Sequence, residues 1–218
     1  MKRHLVIRYL WALVGICINS LGIALITKAA LGTSPISSLP YVLSFRFPLS
    51  LGQFTFLMNL LFILLQILLL RRNFPPIQLL QLVVNIIFSA CIDWGMALLA
   101  WFEPASLVGK LLSLLLGCAV LALGISIEVA PGVLMVPGEG AVSALAQVSG
   151  KRFGIVKICF DVTLVSIALI LSLLFFHRLQ GLGLGTVVSA LLVGRFVIFY
   201  NRYLPLLSHI SSLKEVPC

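Results

Sequence analysis

Charge is scarce in this chain. Only 10% of its 218 residues are charged, and acidic side chains number just 6. A soluble domain carries about 25% charged and roughly 45–50% apolar residues, whereas this chain is 61% hydrophobic with a mean hydropathy of +1.19. No soluble fold hides that much apolar surface, so the composition predicts an integral membrane protein with the lipid bilayer as its first partner. Histidine is rarer still. His4, His177 and His209 sit at edges or in the tail, which leaves no metal-ligand cluster. The cysteines (Cys17, Cys91, Cys118, Cys159, Cys218) lack C-x-x-C spacing and fall mostly in apolar runs, where a small buried role is expected. There is no H-E-x-x-H, no Walker loop, and no Ser-His or Cys-His pairing at depth. No enzymatic activity, metal or cofactor is therefore expected. The net charge of +9 would suggest nucleic acid in a soluble chain. In a membrane protein, basic residues gather in cytoplasmic loops instead, so no nucleic-acid partner is expected.

Long apolar runs are what the chain has in quantity. A span needs about 20 mostly apolar residues, and six stretches qualify: 7–28, 53–70, 77–101, 108–128, 153–176 and 182–202. Two others, 34–46 and 137–149, are too short to cross as helices. The N-terminal run imitates a signal peptide, but the repeat described next makes it a retained first span. One side of the membrane collects Lys2, Arg3, Arg8, Arg71, Arg72, Lys151, Arg152, Arg202 and Lys214. The other collects Lys28, Arg46, Lys110 and Arg178. The positive-inside rule then predicts both termini in the cytoplasm.

Slid against itself by 102 positions, the chain matches without gaps. Gly15 meets Gly117, Gly22 meets Gly124, Pro35 meets Pro137, Gly52 meets Gly154, and Asn59 meets Asp161. Two repeats follow, 1–104 and 105–218, each with three spans plus one short helix. An odd number of spans turns the second copy upside down, so the expected fold is an all-α membrane protein of two inverted repeats. Such repeats are common among transporters, with the binding site where the halves meet. The paired glycines share one helix face at a spacing of seven, which predicts close packing of the first span on the fourth.

The two short segments begin alike. Gly32-Thr33-Ser34-Pro35 and Val136-Pro137-Gly138-Glu139-Gly140 each put proline at a helix start, where its missing N–H costs nothing. The first adds Ser34 as a hydroxyl cap. If both segments re-enter the membrane, their N-termini face each other near the midplane and form a polar, anion-attracting site. If they lie flat as amphipathic linkers, no such site exists. Lys157 and Asp161, one helical turn apart, are either a self-satisfying pair or a polar group facing the centre opposite Asn59. Arg195, beside Gly194, is the deepest cation without an evident partner and suits a carboxylate or phosphate, although Asp93 offers an alternative mate. Glu139 is favoured over Glu128 as a coupling group, since Glu128 is expected at a wet helix end. The glycines of "GLGLG", 181–185, open a membrane helix and are read as packing residues.

"VPGEGAVSALAQVSGKRFGIVKICFDVTLV" with "GLGLGTVVSALLVGRF" resembles the second half of the bacterial YczE/YyaS/YitT-type membrane proteins, and "LGIALITKAALGTSP" resembles their first-half motif. The matching positions are Pro137, Glu139, Gly140, Gly154, Lys157, Asp161, Gly183, Gly185 and Thr186. That resemblance implies a bacterial cytoplasmic membrane and a shared fold; the family's activity is largely uncharacterised. The expected function is a secondary transporter or channel for a small polar, anionic solute. Ser34, Pro35, Asn59, Pro137, Gly138, Glu139, Gly140, Lys157, Asp161 and Arg195 would surround its site. The alternative is a non-transporting subunit, assembly factor or scaffold. A chain this short barely encloses a path, which favours a homodimer.

Overall fold

The computed structural model describes residues 2–133 and 135–213, the side chains of residues 2–4 excepted. Lys214, Cys218 and the side chains of Lys2, Arg3 and His4, which entered the arguments above, lie outside the described residues. Among the described residues the chain forms nine α-helices and no strand. They are α1 (Lys2–Lys28), α2 (Pro35–Ser44), α3 (Leu51–Leu70), α4 (Gln81–Leu98), α5 (Leu107–Val129), α6 (Pro137–Ser149), α7 (Phe153–Phe176), α8 (Leu184–Tyr203) and α9 (Pro205–Ser212). All but α2, α6 and α9 belong to segments long and apolar enough to cross a membrane, the pattern of a multi-pass membrane protein.

Most boundaries fall where the sequence puts them. Both short helices begin on their prolines, Pro35 and Pro137, because proline is tolerated at the first helical position and poorly elsewhere. Gly150 ends α6 in a left-handed conformation at φ 66°, which costs glycine nothing. The third span starts at Pro76, next to the expected residue 77, but its first turn is not α-helical. Pro75 and Pro76 disfavour helix in the residues before them, so the chain makes a 3-10 turn over Pro76–Leu80 before α4 begins at Gln81. The terminal α9 was not anticipated; it lays Leu207 and Ile210 against Ile127 and Ala130 at the end of α5.

The centre of the fold is the crossing of α1 on α5, the most extensive helix pair. The four expected glycines make that contact. Gly15 lies on the backbone of Glu128, Gly22 on Leu121, Gly117 on Ile26 and Gly124 on Asn19. A Cβ added at Gly117 would come 2.8 Å from the Ile26 backbone nitrogen, closer than packed atoms tolerate. Around this seam α4 packs on α1 and α8 on α5, while α3 meets α6 and α2 meets α7. The short helices are therefore held among the long ones, with Ser37, Ser38, Val42, Ala141 and Val142 buried.

One pairing is absent from this pattern. Helix α3 packs along α4, but α7 and α8 barely touch.

Asp93 turns out to serve α3. Its carboxylate accepts Ser50 Oγ at 2.5 Å and the Gly52 amide at 2.8 Å, next to a capping box between Ser50 and Gln53. It is thus a helix-start anchor and not a mate for Arg195. Asp93→Ala should lower stability by ~1–3 kcal/mol, since two donors lose a charged acceptor. A thermal melt of the purified variant in detergent checks this, and an unchanged midpoint would refute the anchoring role.

Candidate functional site

Between the helices lies a cavity of about 370 Å³. Its floor and walls draw on α1 through α8, and most of the lining is apolar. The first turns of both short helices reach it, α2 through Ser34, Pro35 and Ser37, and α6 through Val136 and Glu139. The polar group is completed by Asn19, Thr55, Asn59, Lys157, Asp161 and Ser189.

The expected site residues divide in three. Ser34, Pro35, Asn59, Glu139, Lys157 and Asp161 come together around the cavity. Pro137, Gly138 and Gly140 are buried behind it and build the wall. The Pro137 carbonyl accepts Gln66 Nε2 at 3.1 Å, Gly138 is filled by Ile36, and Gly140 packs on the Gln66 carboxamide. Arg195 is the clear departure. It is exposed on the outer face of α8 and does not line the cavity, although its neighbours Gly194 and Val197 do. α8 carries apolar residues on every side, which gives little indication of the way it turns.

Within the cavity, Lys157 Nζ sits 2.7 Å from Asp161 Oδ1, with 27% and 19% of the two side chains exposed. Asn59, on the same lining, donates to Asn85 Oδ1 at 2.8 Å, and Asn85 donates to the Phe56 carbonyl at 3.0 Å. Ser34 occupies the N-cap of α2, but its hydroxyl donates to Ser37 Oγ at 3.0 Å and caps no backbone amide. Glu139, in the first turn of α6, takes no side-chain hydrogen bond among the described residues and lines the cavity together with Lys157 and Asp161.

Glu128 overturns its expected setting. It is buried, not at a wet helix end, and accepts Asn19 Nδ2 at 3.0 Å and the Val136 amide at 2.9 Å. A buried carboxylate needs such donors to offset lost hydration. Here they fasten the loop that launches α6, and Arg8 fastens it again through the Pro131 carbonyl at 2.8 Å. Sequence reasoning missed Asn19. Its signal was present, because Gly15, Asn19 and Gly22 follow i, i+4, i+7 spacing on the seam face.

The start of α8 packs on the α1–α2 turn through its backbone. The Gly185 amide donates to the Leu31 carbonyl at 2.8 Å, and the Gly183 and Gly185 backbones lie against Leu31. Ser189 Oγ donates to the Thr33 carbonyl at 3.3 Å, and Thr33 N–H to Thr186 Oγ1 at 3.3 Å. The "GLGLG" glycines are packing residues, as expected. The cysteine expectation fails in part: Cys118 is buried, but Cys17 and Cys159 face outward, where a thiol is as compatible with lipid as with a core.

A family model described as a family of unknown function (DUF6198) matches residues 6–202. The uncharacterized protein YyaS of Bacillus subtilis (strain 168) is 29% identical over 190 residues, covering 86% of this chain and 89% of that protein. No solved structure matches. The matched region takes in every helix that lines the cavity, and on it the chain belongs to the family of unknown function DUF6198.

Proposed function

We propose that this protein is a small secondary transporter or channel for a polar solute, built from two inverted repeats. The observation that carries this reading is a cavity holding a cluster of polar side chains and reached by the first turns of both short helices. Broken backbone at membrane depth persists only where it lines a cavity or is buried in protein, and here it does both. The seam supports the inverted arrangement. Gly15 on Glu128 has its repeat equivalent in Gly117 on Ile26, and Gly22 on Leu121 has its equivalent in Gly124 on Asn19. Each pair maps onto the other by the offset of 102, as a two-fold axis between the halves requires. In this reading α2 and α6 re-enter the membrane, the termini lie in the cytoplasm, and the host membrane is the bacterial cytoplasmic one. The quoted motifs extend the kinship to the YczE and YitT types.

The solute's charge is better read from the cavity than from the sequence. An anionic solute was expected from the two helix N-termini and from Arg195, which faces away. The positive end of α6 is already occupied by Glu139 in its first turn and by Glu128 on the Val136 amide. Lining carboxyl groups outnumber the single amine, Asp161 and Glu139 against Lys157. The geometry favours a solute with a positively charged group.

Flux of methylammonium into proteoliposomes tests the reading. Wild type and Arg195→Leu should transport alike, and Glu139→Gln should lose most of the flux. Equal flux in all three, or none in wild type across a panel of small cations and anions, would leave the scaffold reading in possession.

A further inference from the structure

A second, smaller cavity of about 180 Å³ adjoins the first. Its wall takes in Leu70, Gln78, Gln81, Val129, Ser143 and Gln147, with no charged side chain among the described residues. Leu70 and Val129 close α3 and α5, so the cavity sits where two long helices end. Its lining runs from exposed Gly132, Met135 and Gln147 to buried Gln81, Gly140 and Ala144, which opens it outward and ends it blind inside. The charged groups nearby stand outside the wall. Arg8 holds the Pro131 and Gly132 carbonyls, Arg71 and Arg72 follow α3 and are exposed, and Glu128 is taken by Asn19 and the Val136 amide.

Four elements pass from one cavity to the other. Phe62 and Leu70 on α3, Phe88 and Gln81 on α4, Ile125 and Val129 on α5, and Glu139 and Gly140 on α6 line the larger and the smaller cavity respectively. Midway on α3, one turn from either neighbour, stands the fully buried Gln66. Its Nε2 donates to Gln81 Oε1 and to the Pro137 carbonyl, each at 3.1 Å, and Gln81 Nε2 returns a longer bond of 3.4 Å.

We infer that the smaller cavity is a water-filled vestibule and that the Gln66–Gln81 amide pair is the gate between it and the larger cavity. The inference rests on the proposed function and assigns the end of its path beside Arg71 and Arg72. Water is the occupant that the wall selects, since it offers amides and a hydroxyl, carries no charge and has room for several molecules. Gln78 Oε1 is buried with no hydrogen-bond partner among the described residues, a want that a turn of its amide toward cavity water meets. The partition itself is built to open. Where this fold seals permanently, glycines press on backbone, as along the α1–α5 seam. Here the seal is two carboxamides, neutral groups that trade their mutual bonds for bonds to water or to a solute N–H and leave no charge behind.

Single cysteines read the partition. Asn73→Cys marks the membrane face that carries Arg71 and Arg72, Ser143→Cys reports on the smaller cavity and Met58→Cys on the larger. A membrane-impermeant cationic methanethiosulfonate would be applied to that face of sealed vesicles, with adducts counted at each cysteine by mass spectrometry so that the native thiols stay in place. Ser143→Cys should react at a rate like that of Asn73→Cys. Met58→Cys should react about a hundredfold more slowly, as for a gate open roughly 1% of the time. Gln66→Ala, or Gln81→Ala from the other helix, should speed Met58→Cys about tenfold, equivalent to 1.4 kcal/mol. Gln66→Met keeps the bulk and should leave it slow. An unreactive Ser143→Cys would overturn the vestibule. Met58→Cys as fast as Ser143→Cys with the pair intact, or unmoved by both alanine variants, would overturn the gate. Methylammonium flux on the same preparations keeps the two ideas apart. Labelling as expected with no flux in wild type leaves a gated crevice and defeats the transport reading, whereas flux with labelling that ignores Gln66 and Gln81 defeats the gate alone.

Discussion

Gly124→Leu is expected to yield no folded protein. The residue lies on the α1–α5 seam, where an added Cβ would fall on the Asn19 backbone. Overpacking a core costs ~1–3 kcal/mol when side chains can shift; here the obstacle is main chain, and a leucine would have to push the two central helices apart. That displacement would also pull Asn19 from Glu128, and with it the fastening of the loop into α6. Gly22→Leu should behave the same way, since its Cβ would meet Leu121 backbone. Gly154→Ala and Gly194→Ala provide the contrast. Neither has a neighbour within 4 Å of the new atom, and alanine in a helix interior is favoured over glycine by up to ~1 kcal/mol. Size-exclusion profiles and thermal melts of all four variants decide the matter. A monodisperse Gly124→Leu melting within a few degrees of wild type would mean that α1 and α5 do not approach backbone to backbone.

What the sequence made legible follows from how local each signal is. Span positions depend on apolar length alone, and α7 runs over the expected residues, Phe153–Phe176. Pro35 and Pro137 marked helix starts because proline's missing donor restricts it to that position. The seam was readable because glycines seven apart must share a face. Facing was harder to read where apolar residues stand on every side of a helix, as in α8. Amphipathicity orients a helix at a water boundary, but α8 meets lipid on one side and protein on the other, and both accept the same residues. Arg195 was therefore assigned to the wrong side. Glu128 was misjudged for a related reason. Its donors, Asn19 and Val136, belong to another helix and to a loop that folds back, and no window along the chain contains all three.

The Lys157–Asp161 pair separates structural from functional charge. Asp161→Asn leaves the ammonium without its carboxylate in a largely apolar cavity, and an unpaired charge at membrane depth costs ~2.5–3.5 kcal/mol on insertion scales. The partial exposure of both side chains, 27% and 19%, reduces that figure for the real site. The single variant should still melt measurably lower than wild type. The double variant Lys157→Met with Asp161→Leu removes both charges and keeps the volume. Replacing an ion pair by apolar residues of similar size is often neutral or stabilising, so its midpoint should recover to within ~1 kcal/mol of wild type, a coupling that a double-mutant cycle reads directly. Flux and stability should then part company. If the pair only holds α7 together, the double variant regains transport along with stability. If the pair faces the solute, as its position beside Glu139 and Asn59 implies, the double variant is stable and does not transport. A folded double variant with wild-type flux would remove Lys157 and Asp161 from the site and leave Glu139 as its only charged member.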